Sequence, residues 1–178
     1  MDRKVAIFCA ASVKIDEKYN DAAREVVRAL HALNYTIVSG GGKVGTMGAI
    51  TAESVKLGGR HIAVIPEFMR GLENPGLKEV VWTDTMAHRK EKMREGACAA
   101  IALPGGIGTL DELIETHTLK KLHKWEGELF ALNVEGFWDP YITLLDHFVK
   151  TGALEPQDRD LMHFPRTVDE LIAYFHSF

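Results

Sequence analysis

The segment from residue 103 to residue 112, Leu-Pro-Gly-Gly-Ile-Gly-Thr-Leu-Asp-Glu, combines a glycine-rich turn with a carboxylate. The apolar run at residues 99–103 predicts a buried strand, and helical periodicity follows the turn. The first N–H groups of a helix lack partners and attract anions, and glycine lets the backbone approach a phosphate. The candidate phosphate ligands are Gly105, Gly106, Gly108 and Thr109. With Glu112 one turn inside the helix, the segment predicts chemistry on a phosphorylated small molecule.

A second glycine-rich turn, at residues 39–48, follows a short β-rich run and precedes helical sequence. Neither turn ends in the Gly-Lys-Ser/Thr of a P-loop, and neither carries the glycine fingerprint and acidic residue of a dinucleotide site. A glycine after a strand is often only a turn, but two such turns in one α/β chain favour a shared ligand. The candidate ligands in this turn are Gly41, Gly42, Gly45 and Thr46.

A cluster of basic residues at positions 86–94 offers a further source of chemistry. Most of these charges fit a solvated helix face interleaved with Glu91 and Glu95. A cation near the start of this helix would suit a phosphate or ribose oxygen. The candidates that spacing leaves open are Arg89, Lys90 and Arg94.

Glu112 has a structural interpretation as well as a chemical one. Thr109-x-x-Glu112 matches a helix capping box, and Thr167-x-x-Glu170 matches it again where no glycine turn precedes. The glycine turn favours chemistry at Glu112, because a cap requires no phosphate-type loop in front of it. Spacing alone leaves both interpretations open.

The composition is typical of a soluble globular protein, with 178 residues, 46% hydrophobic and 26% charged. A net charge of −4 gives no support for nucleic-acid binding through a basic face. Cys9 and Cys98 match no metal or redox spacing, and both are expected to be buried thiols. Without a signal-peptide pattern or a membrane-spanning run, we expect residues 1–178 to form a single domain in the cytoplasm.

Short apolar runs alternate with helical periodicity along the chain. Strands are expected near residues 5–9, 36–38, 61–65, 78–83, 99–103 and 129–133. Helices are expected near residues 16–33, 46–57, 84–97, 109–122 and 139–151, and from residue 167 onward. This alternation predicts an α/β fold, a Rossmann-like doubly wound parallel sheet in three α/β/α layers. Ligands bind at the carboxyl ends of such strands, so the turns after residues 9, 38 and 103 are expected to face one crevice.

Three motifs, in this order, resemble the LOG ("lonely guy") family, once described as lysine decarboxylases. They are Ser39-Gly-Gly-Gly-x-x-Gly-Thr-Met-Gly48, Met86-x-x-Arg89-Lys90-x-x-Met93 and Pro104-Gly-Gly-x-Gly-Thr-x-x-Glu112. The last of them is the hallmark of the family, and the resemblance runs over residues 5–154. Members of the family are phosphoribohydrolases that act on AMP or on cytokinin riboside 5′-monophosphates.

The resemblance implies hydrolysis of the N-glycosidic bond of a nucleoside 5′-monophosphate to a free base and ribose 5-phosphate. It implies that Arg89 and Glu112 form the catalytic pair, with Glu112 either activating water or stabilising the ribosyl cation. It also implies a homodimer that uses no metal, no pyridoxal phosphate and no other cofactor. The further residues expected to contact the nucleotide are Ser12, Met86 and Lys90.

The chain departs from the family pattern in three places. Ala10-Ala11-Ser12 replaces Gly-Ser after the first strand, Ser39 replaces a tyrosine, and Thr118-Leu119 replaces Thr-Trp. These changes are expected on the pocket walls, where they would affect the preferred base. Rossmann-like molybdenum-cofactor carriers have similar glycine turns, so a non-catalytic nucleotide or molybdenum-cofactor carrier is the alternative function.

Overall fold

A computed structural model describes residues 3–176 and contains a seven-stranded parallel sheet in the order β4-β3-β2-β1-β5-β6-β7. The strands are β1 (Lys4–Phe8), β2 (Thr36–Ser39), β3 (His61–Pro66), β4 (Glu79–Thr83), β5 (Ala97–Ala102), β6 (Glu128–Ala131) and β7 (Met162–His163). The helices are α1 (Glu17–Ala32), α2 (Gly45–Leu57), α3 (Met86–Arg94), α4 (Ile107–Lys121), α5 (Asp139–Lys150), α6 (Pro156–Arg159) and α7 (Val168–Phe175).

The sheet is covered on both faces, as expected for short strands without polar alternation. Along β1, Val5 and Ile7 face one apolar cluster, whereas Ala6 and Phe8 face another. The first cluster includes residues of α1, α2 and α7, and the second includes residues of α3, α4 and α5. This arrangement confirms the predicted three-layer, Rossmann-like doubly wound fold.

The strand order reverses between β1 and β5, which are neighbours in the sheet although three strands separate them in sequence. Successive strands from β1 to β4 extend the sheet in one direction, and those from β5 to β7 extend it in the other. The crevice outside the carboxyl ends of β1 and β5 is therefore the expected ligand position in this fold.

The structure differs from the sequence prediction mainly at element ends and near the carboxyl terminus. The third helix begins after Thr85, whose side chain accepts a hydrogen bond from His88 N, rather than after Asp84. The helix α6 and the strand β7 were not predicted, because four and two residues are too short for periodicity to show. Of the two cysteines, Cys9 is buried and Cys98 only partly buried.

Candidate active site

A cavity of about 360 Å³ opens at the reversal point of the sheet. The three turns expected to face one crevice all contribute to its wall, through Ala10–Ser12 after β1, Gly42–Val44 after β2, and Gly106 and Gly108 after β5. A fourth segment, after β3, adds Met69 and Leu72. The cavity thus lies where a doubly wound sheet binds small ligands.

Arg89 and Glu112 form a buried ion pair in the cavity wall. Arg89 Nη1 donates to Glu112 Oε1 at 2.9 Å, and Arg89 Nε donates to the Val64 carbonyl at 3.0 Å. The two residues are only 8% and 6% exposed. Because β3 and α4 anchor the guanidinium from two directions, both side chains are fixed where they reach the cavity.

Burial raises the pKa of Glu112 to about 7, and the neighbouring Arg89 offsets only part of this increase. Near neutral pH the group can therefore exist as a carboxylate or as a carboxylic acid. Cys9 lines the same cavity, and burial raises the pKa of its thiol, with a further contribution from the Glu112 charge. The thiol therefore stays neutral beside the ion pair.

The two Thr-x-x-Glu motifs have different structural roles. Thr167 is the N-cap of α7: its hydroxyl accepts from Glu170 N at 3.1 Å, and Glu170 Oε2 accepts from Arg166 N at 2.7 Å. In α4 the N-cap is Gly106, without a side-chain cap, so Thr109 and Glu112 lie inside the helix. Glu112 is not a capping residue, and its side chain instead faces Arg89 and the cavity.

The N-terminus of α4 is better suited to an anion than the N-terminus of α2. The N–H groups of Ile107, Gly108 and Thr109 form the first turn of α4, where helical partners are lacking. In α2 the corresponding third N–H group, that of Met47, already donates to the Ala10 carbonyl at 3.0 Å. The first turn of α4 therefore has the N–H groups that are freer to bind an anion.

Comparison with known proteins places these residues in a family. The family model described as "possible lysine decarboxylase" matches residues 47–175. A probable cytokinin riboside 5′-monophosphate phosphoribohydrolase, LOGL2 of Oryza sativa subsp. japonica, is 38% identical over 173 residues, which cover 96% of this chain and 70% of the relative. The chain belongs to the LOG family. Cytokinin riboside 5′-monophosphate phosphoribohydrolase LOG2 of Arabidopsis thaliana is 37% identical over 163 residues, covering 90% of this chain and 76% of that protein.

Solved structures with the same fold include the molybdenum cofactor carrier protein from Chlamydomonas reinhardtii. Its TM-score is 0.76 at 16% identity, covering 99% of this chain and 98% of that one. The molybdenum cofactor binding protein from Rippkaea orientalis has a TM-score of 0.76 at 15% identity, with 99% and 97% coverage. At this identity the similarity shows the fold alone.

In this LOG-family chain, eight of the site residues expected from sequence line the cavity. They are Ser12, Gly42, Met86, Arg89, Gly106, Gly108, Thr109 and Glu112. The other five, which do not form part of the lining, are Gly41, Gly45, Thr46, Lys90 and Gly105. The cavity therefore brings the expected pair together with at least one residue of each glycine turn.

Four of the five residues outside the lining have contacts or backbone conformations that explain their positions. Thr46 Oγ1 donates to Asn20 Oδ1 at 2.8 Å, which ties α2 to α1. Gly41 and Gly45 have φ near +64° and +63°, and a Cβ at Gly45 would clash with the backbone of the turn after β1. A Cβ at Gly105 would collide with Thr109 Oγ1, so this glycine makes room for a cavity residue.

The structure separates the basic candidates of α3 that spacing left open. Lys90 Nζ donates to Asp111 Oδ2 at 2.9 Å and also pairs with Glu115. Arg94 Nη2 donates to Glu115 Oε1 at 2.9 Å. Lys90 and Arg94 are thus bound to acidic residues of α4 and lie outside the cavity lining, whereas Arg89, which is paired with Glu112, lines the cavity.

Sequence reasoning missed the apolar part of the cavity. Met47, Ile65, Pro66, Met69 and Leu72 line it together with the predicted residues. Met47 lies within the second glycine motif and was identifiable from it. Met69 ends a 3-10 turn after β3, and Leu72 lies in the loop that follows it. That loop pairs with the turn after β2, where Lys43 N donates to the Leu72 carbonyl at 3.1 Å.

The departures from the family pattern are only partly on the pocket wall. Ala10, Ala11 and Ser12 line the cavity, as expected. Ser39 is fully buried behind the wall, and Thr118 and Leu119 lie farther along α4 outside the cavity lining. Of the three changes, the one after β1 is therefore the one placed to contact a ligand.

Proposed function

We propose that this chain hydrolyses the N-glycosidic bond of AMP or an N6-substituted AMP, giving the free base and ribose 5-phosphate. The observation that carries the proposal is the buried Arg89–Glu112 pair beside the open N-terminus of α4, in a LOG-family chain. The printed names of the curated relatives, cytokinin riboside 5′-monophosphate phosphoribohydrolases, support the same reaction.

In the proposed reaction the bond from the ribose C1′ to the base nitrogen breaks, and the oxygen of a water molecule bonds to C1′. The base leaves with the electron pair and takes up a proton. Positive charge develops on the ribose in the transition state, as in glycoside hydrolysis generally. The Glu112 carboxylate is the group that stabilises this charge or accepts the proton of the attacking water.

Arg89 and the glycine turns would position the substrate. Arg89 holds Glu112 in place and can donate to a ribose or phosphate oxygen. The first N–H groups of α4 and the hydroxyl of Thr109 would bind the 5′-phosphate, remote from the bond that breaks. The remaining wall, with Met47, Met69 and Leu72, would contact the base. A nucleoside without the phosphate should therefore be a poor substrate.

The test is incubation with a panel of nucleoside 5′-monophosphates, followed by chromatography for free base and ribose 5-phosphate. We expect AMP or an N6-substituted AMP to be cleaved and adenosine to be cleaved far more slowly. Tight binding of molybdenum cofactor with no turnover of any nucleotide would instead support the carrier function.

We propose that the reaction needs no metal ion. Within residues 3–176, no group of three or more His, Cys, Asp and Glu side chains is placed to hold one. Turnover in the presence of EDTA should equal turnover without it. Loss of activity in EDTA, with recovery on addition of a divalent cation, would contradict this part of the proposal.

We also propose a homodimer in the cytoplasm. Ile107 and Ile114 of α4 and Leu122, its C-cap residue, recur at spacings of seven and eight, and all three are exposed apolar side chains. Leu113, in contrast, is buried in the core of the same chain.

No helix within residues 3–176 is long and apolar enough to cross a membrane. The cytoplasmic location is supported by two cysteines that are both free.

A further inference from the structure

A chain of four hydrogen-bonding side chains lies behind the turn after β2, outside the cavity lining. Ser39 Oγ is 2.7 Å from His61 Nε2, and His61 Nδ1 is 2.9 Å from Ser54 Oγ. Ser54 Oγ is in turn 3.0 Å from His31 Nε2. These contacts connect β2, β3, α2 and α1, and none of the four residues has a role in the proposed reaction.

The two ends of this chain are backbone groups. At one end Gly41 N donates to Ser39 Oγ at 3.1 Å. At the other end His31 Nδ1 lies 3.3 Å from the Tyr35 carbonyl, which can only accept a hydrogen bond. The His31 proton is therefore on Nδ1, and this fixes the starting point for assigning the others.

The remaining protons follow by counting donors and acceptors. With its proton on Nδ1, neutral His31 accepts at Nε2, so the Ser54 hydroxyl must donate to it. Ser54 Oγ then accepts from His61 Nδ1, which leaves His61 Nε2 as an acceptor for the Ser39 hydroxyl. One arrangement of protons therefore gives every side chain in the chain both a donor and an acceptor. In it each group donates to the next one along, beginning with Gly41 N and ending at the Tyr35 carbonyl.

The charge state agrees with this assignment, because the His61 ring is buried and the His31 ring is partly buried. Burial lowers the pKa of His61 to about 3, and burial also lowers the pKa of His31. Ser39 and Ser54 are fully buried, so a break in the chain would leave a donor or an acceptor unsatisfied. Aligned chains of this kind strengthen each member.

The turn that this chain holds is closely packed against the cavity residues. Gly40 and Gly42 line the cavity, and a Cβ at Gly40 would collide with Arg89 Nη2. A Cβ at Gly41 would collide with Ala63 of β3. The turn therefore has little freedom on this side. Hydrogen bonds restrain it as well: Asn74 N donates to the Gly41 carbonyl at 2.9 Å, and Thr51 Oγ1 donates to the Gly42 carbonyl at 3.2 Å. The bond from Gly41 N to Ser39 is the restraint that connects the turn to the chain of side chains.

We propose that His61, fixed as the Nδ1–H tautomer between Ser39 and Ser54, is a positioning residue that holds the Gly40–Gly42 turn in its substrate-binding conformation. The expected effect on turnover rests on the proposed function, whereas the His61 tautomer and the restraint on the turn do not. Arg89 has its own anchors at Val64 and Glu112, so disruption of the chain should weaken substrate binding more than it slows the chemical step.

The first test is nitrogen NMR of the wild-type protein with labelled histidine, which reports the ring nitrogen that carries the proton. We expect Nδ1–H on both His61 and His31, and we expect His61 to remain neutral at every pH at which the protein is folded. A proton on His61 Nε2 would overturn the assignment. This measurement needs no substrate, so it separates a failure of this inference from a failure of the proposed function.

The second test is Ser54→Ala, which breaks the chain on α2 without altering the cavity lining. We expect the His61 proton to move to Nε2, and exchange of the Gly41 amide hydrogen to become about tenfold faster. The KM for AMP should rise about tenfold with kcat within about twofold, since one buried hydrogen bond of ordinary strength corresponds to about that factor.

The matched control is Thr116→Val, which removes an equally buried hydroxyl that bonds only to its own helix, at Glu112 O. It should leave Gly41 exchange and the KM unchanged. If Ser54→Ala also leaves both unchanged, the chain does not hold the turn and the proposal is wrong. Equal losses in kcat for the two variants would indicate general damage to the fold and would likewise overturn the proposal.

Discussion

Glu112 is a carboxyl group in surroundings that favour its neutral form. It is buried in the cavity wall, and its main compensation is a single guanidinium, that of Arg89. The folded state therefore binds the Glu112 proton more tightly than the unfolded state does. The contribution of this group to the free energy of unfolding should fall as the pH rises from about 4.5 to about 7.

The pKa of Glu112 predicts a pH dependence of turnover. Both proposed roles need the carboxylate, so kcat/KM for AMP should rise with pH and level off above about 7. The substrate phosphate also titrates near pH 6, with a pKa of about 6. The pH dependence of Glu112→Gln distinguishes the Glu112 carboxyl from the substrate phosphate. The residual kcat/KM of this variant should no longer rise near pH 7, and only the change caused by titration of the phosphate should remain. An unchanged profile in this variant would assign the titration elsewhere.

Thr109 provides a residue-scale test of the phosphate position. Thr109→Val keeps the shape of the side chain but removes a hydroxyl at the first turn of α4. If the 5′-phosphate binds there, the KM for AMP should rise about tenfold, the equivalent of about 1.4 kcal/mol. Lys90→Gln is the control, because Lys90 does not line the cavity and is engaged by Asp111 and Glu115. A larger rise in KM for Lys90→Gln than for Thr109→Val would indicate that the phosphate binds at α3 instead.

At the scale of elements, one four-residue motif serves two purposes. In α7 it caps the helix, whereas in α4 the Pro-Gly-Gly turn lets the helix begin at Ile107, two residues before Thr109. The sequence could not distinguish these outcomes, since helix ends depend on where the preceding turn directs the chain. The glycine turn in front of Thr109 was the one indication that favoured chemistry over capping.

The capping role of Thr167 gives an element-scale prediction. Thr167→Ala removes the acceptor for Glu170 N and should lower the free energy of unfolding by about 1 kcal/mol. Turnover of AMP should stay at the wild-type level, because α7 lies away from the cavity. Denaturant unfolding together with steady-state kinetics measures both quantities. A fall in turnover beyond that explained by the unfolded fraction would be inconsistent with a purely structural motif.

Much of the fold was predictable because the patterns that specify it are local. Apolar runs indicated every strand from β1 to β6, and glycine turns at the ends of β2 and β5 indicated where the crevice would lie. Contacts between distant segments were not predictable. The loop that brings Met69 to the cavity and the pairing of Ser39 with His61 both depend on the register of β2 against β3.

At the scale of the whole molecule, strands from residue 4 to residue 163 join one sheet with two apolar layers. We propose that residues 1–178 form a single domain, which should unfold in one cooperative transition by calorimetry. Separate transitions for the two halves of the sheet would contradict this.

The apolar stripe formed by the exposed side chains of Ile107, Ile114 and Leu122 gives a prediction for the oligomeric state. Sedimentation at micromolar concentration should give about twice the mass of one chain, and Ile114→Lys should give the monomer mass, because it places a charge within the apolar stripe. Tyr174→Lys, a charge at an exposed position on α7, should leave the dimer intact. A wild-type monomer at this concentration would refute the dimer.

The most direct test of the proposed mechanism is the turnover of AMP by Glu112→Gln, with Glu170→Gln as its matched control. The amide oxygen introduced by Glu112→Gln can still accept a hydrogen bond from Arg89, so the variant should fold and bind AMP, but it lacks the carboxylate. We expect release of free base to be at least about 100-fold slower than in the wild type, with Glu170→Gln unaffected. Wild-type rates in both variants would show that Glu112 is not the catalytic carboxylate and that the proposed mechanism is wrong.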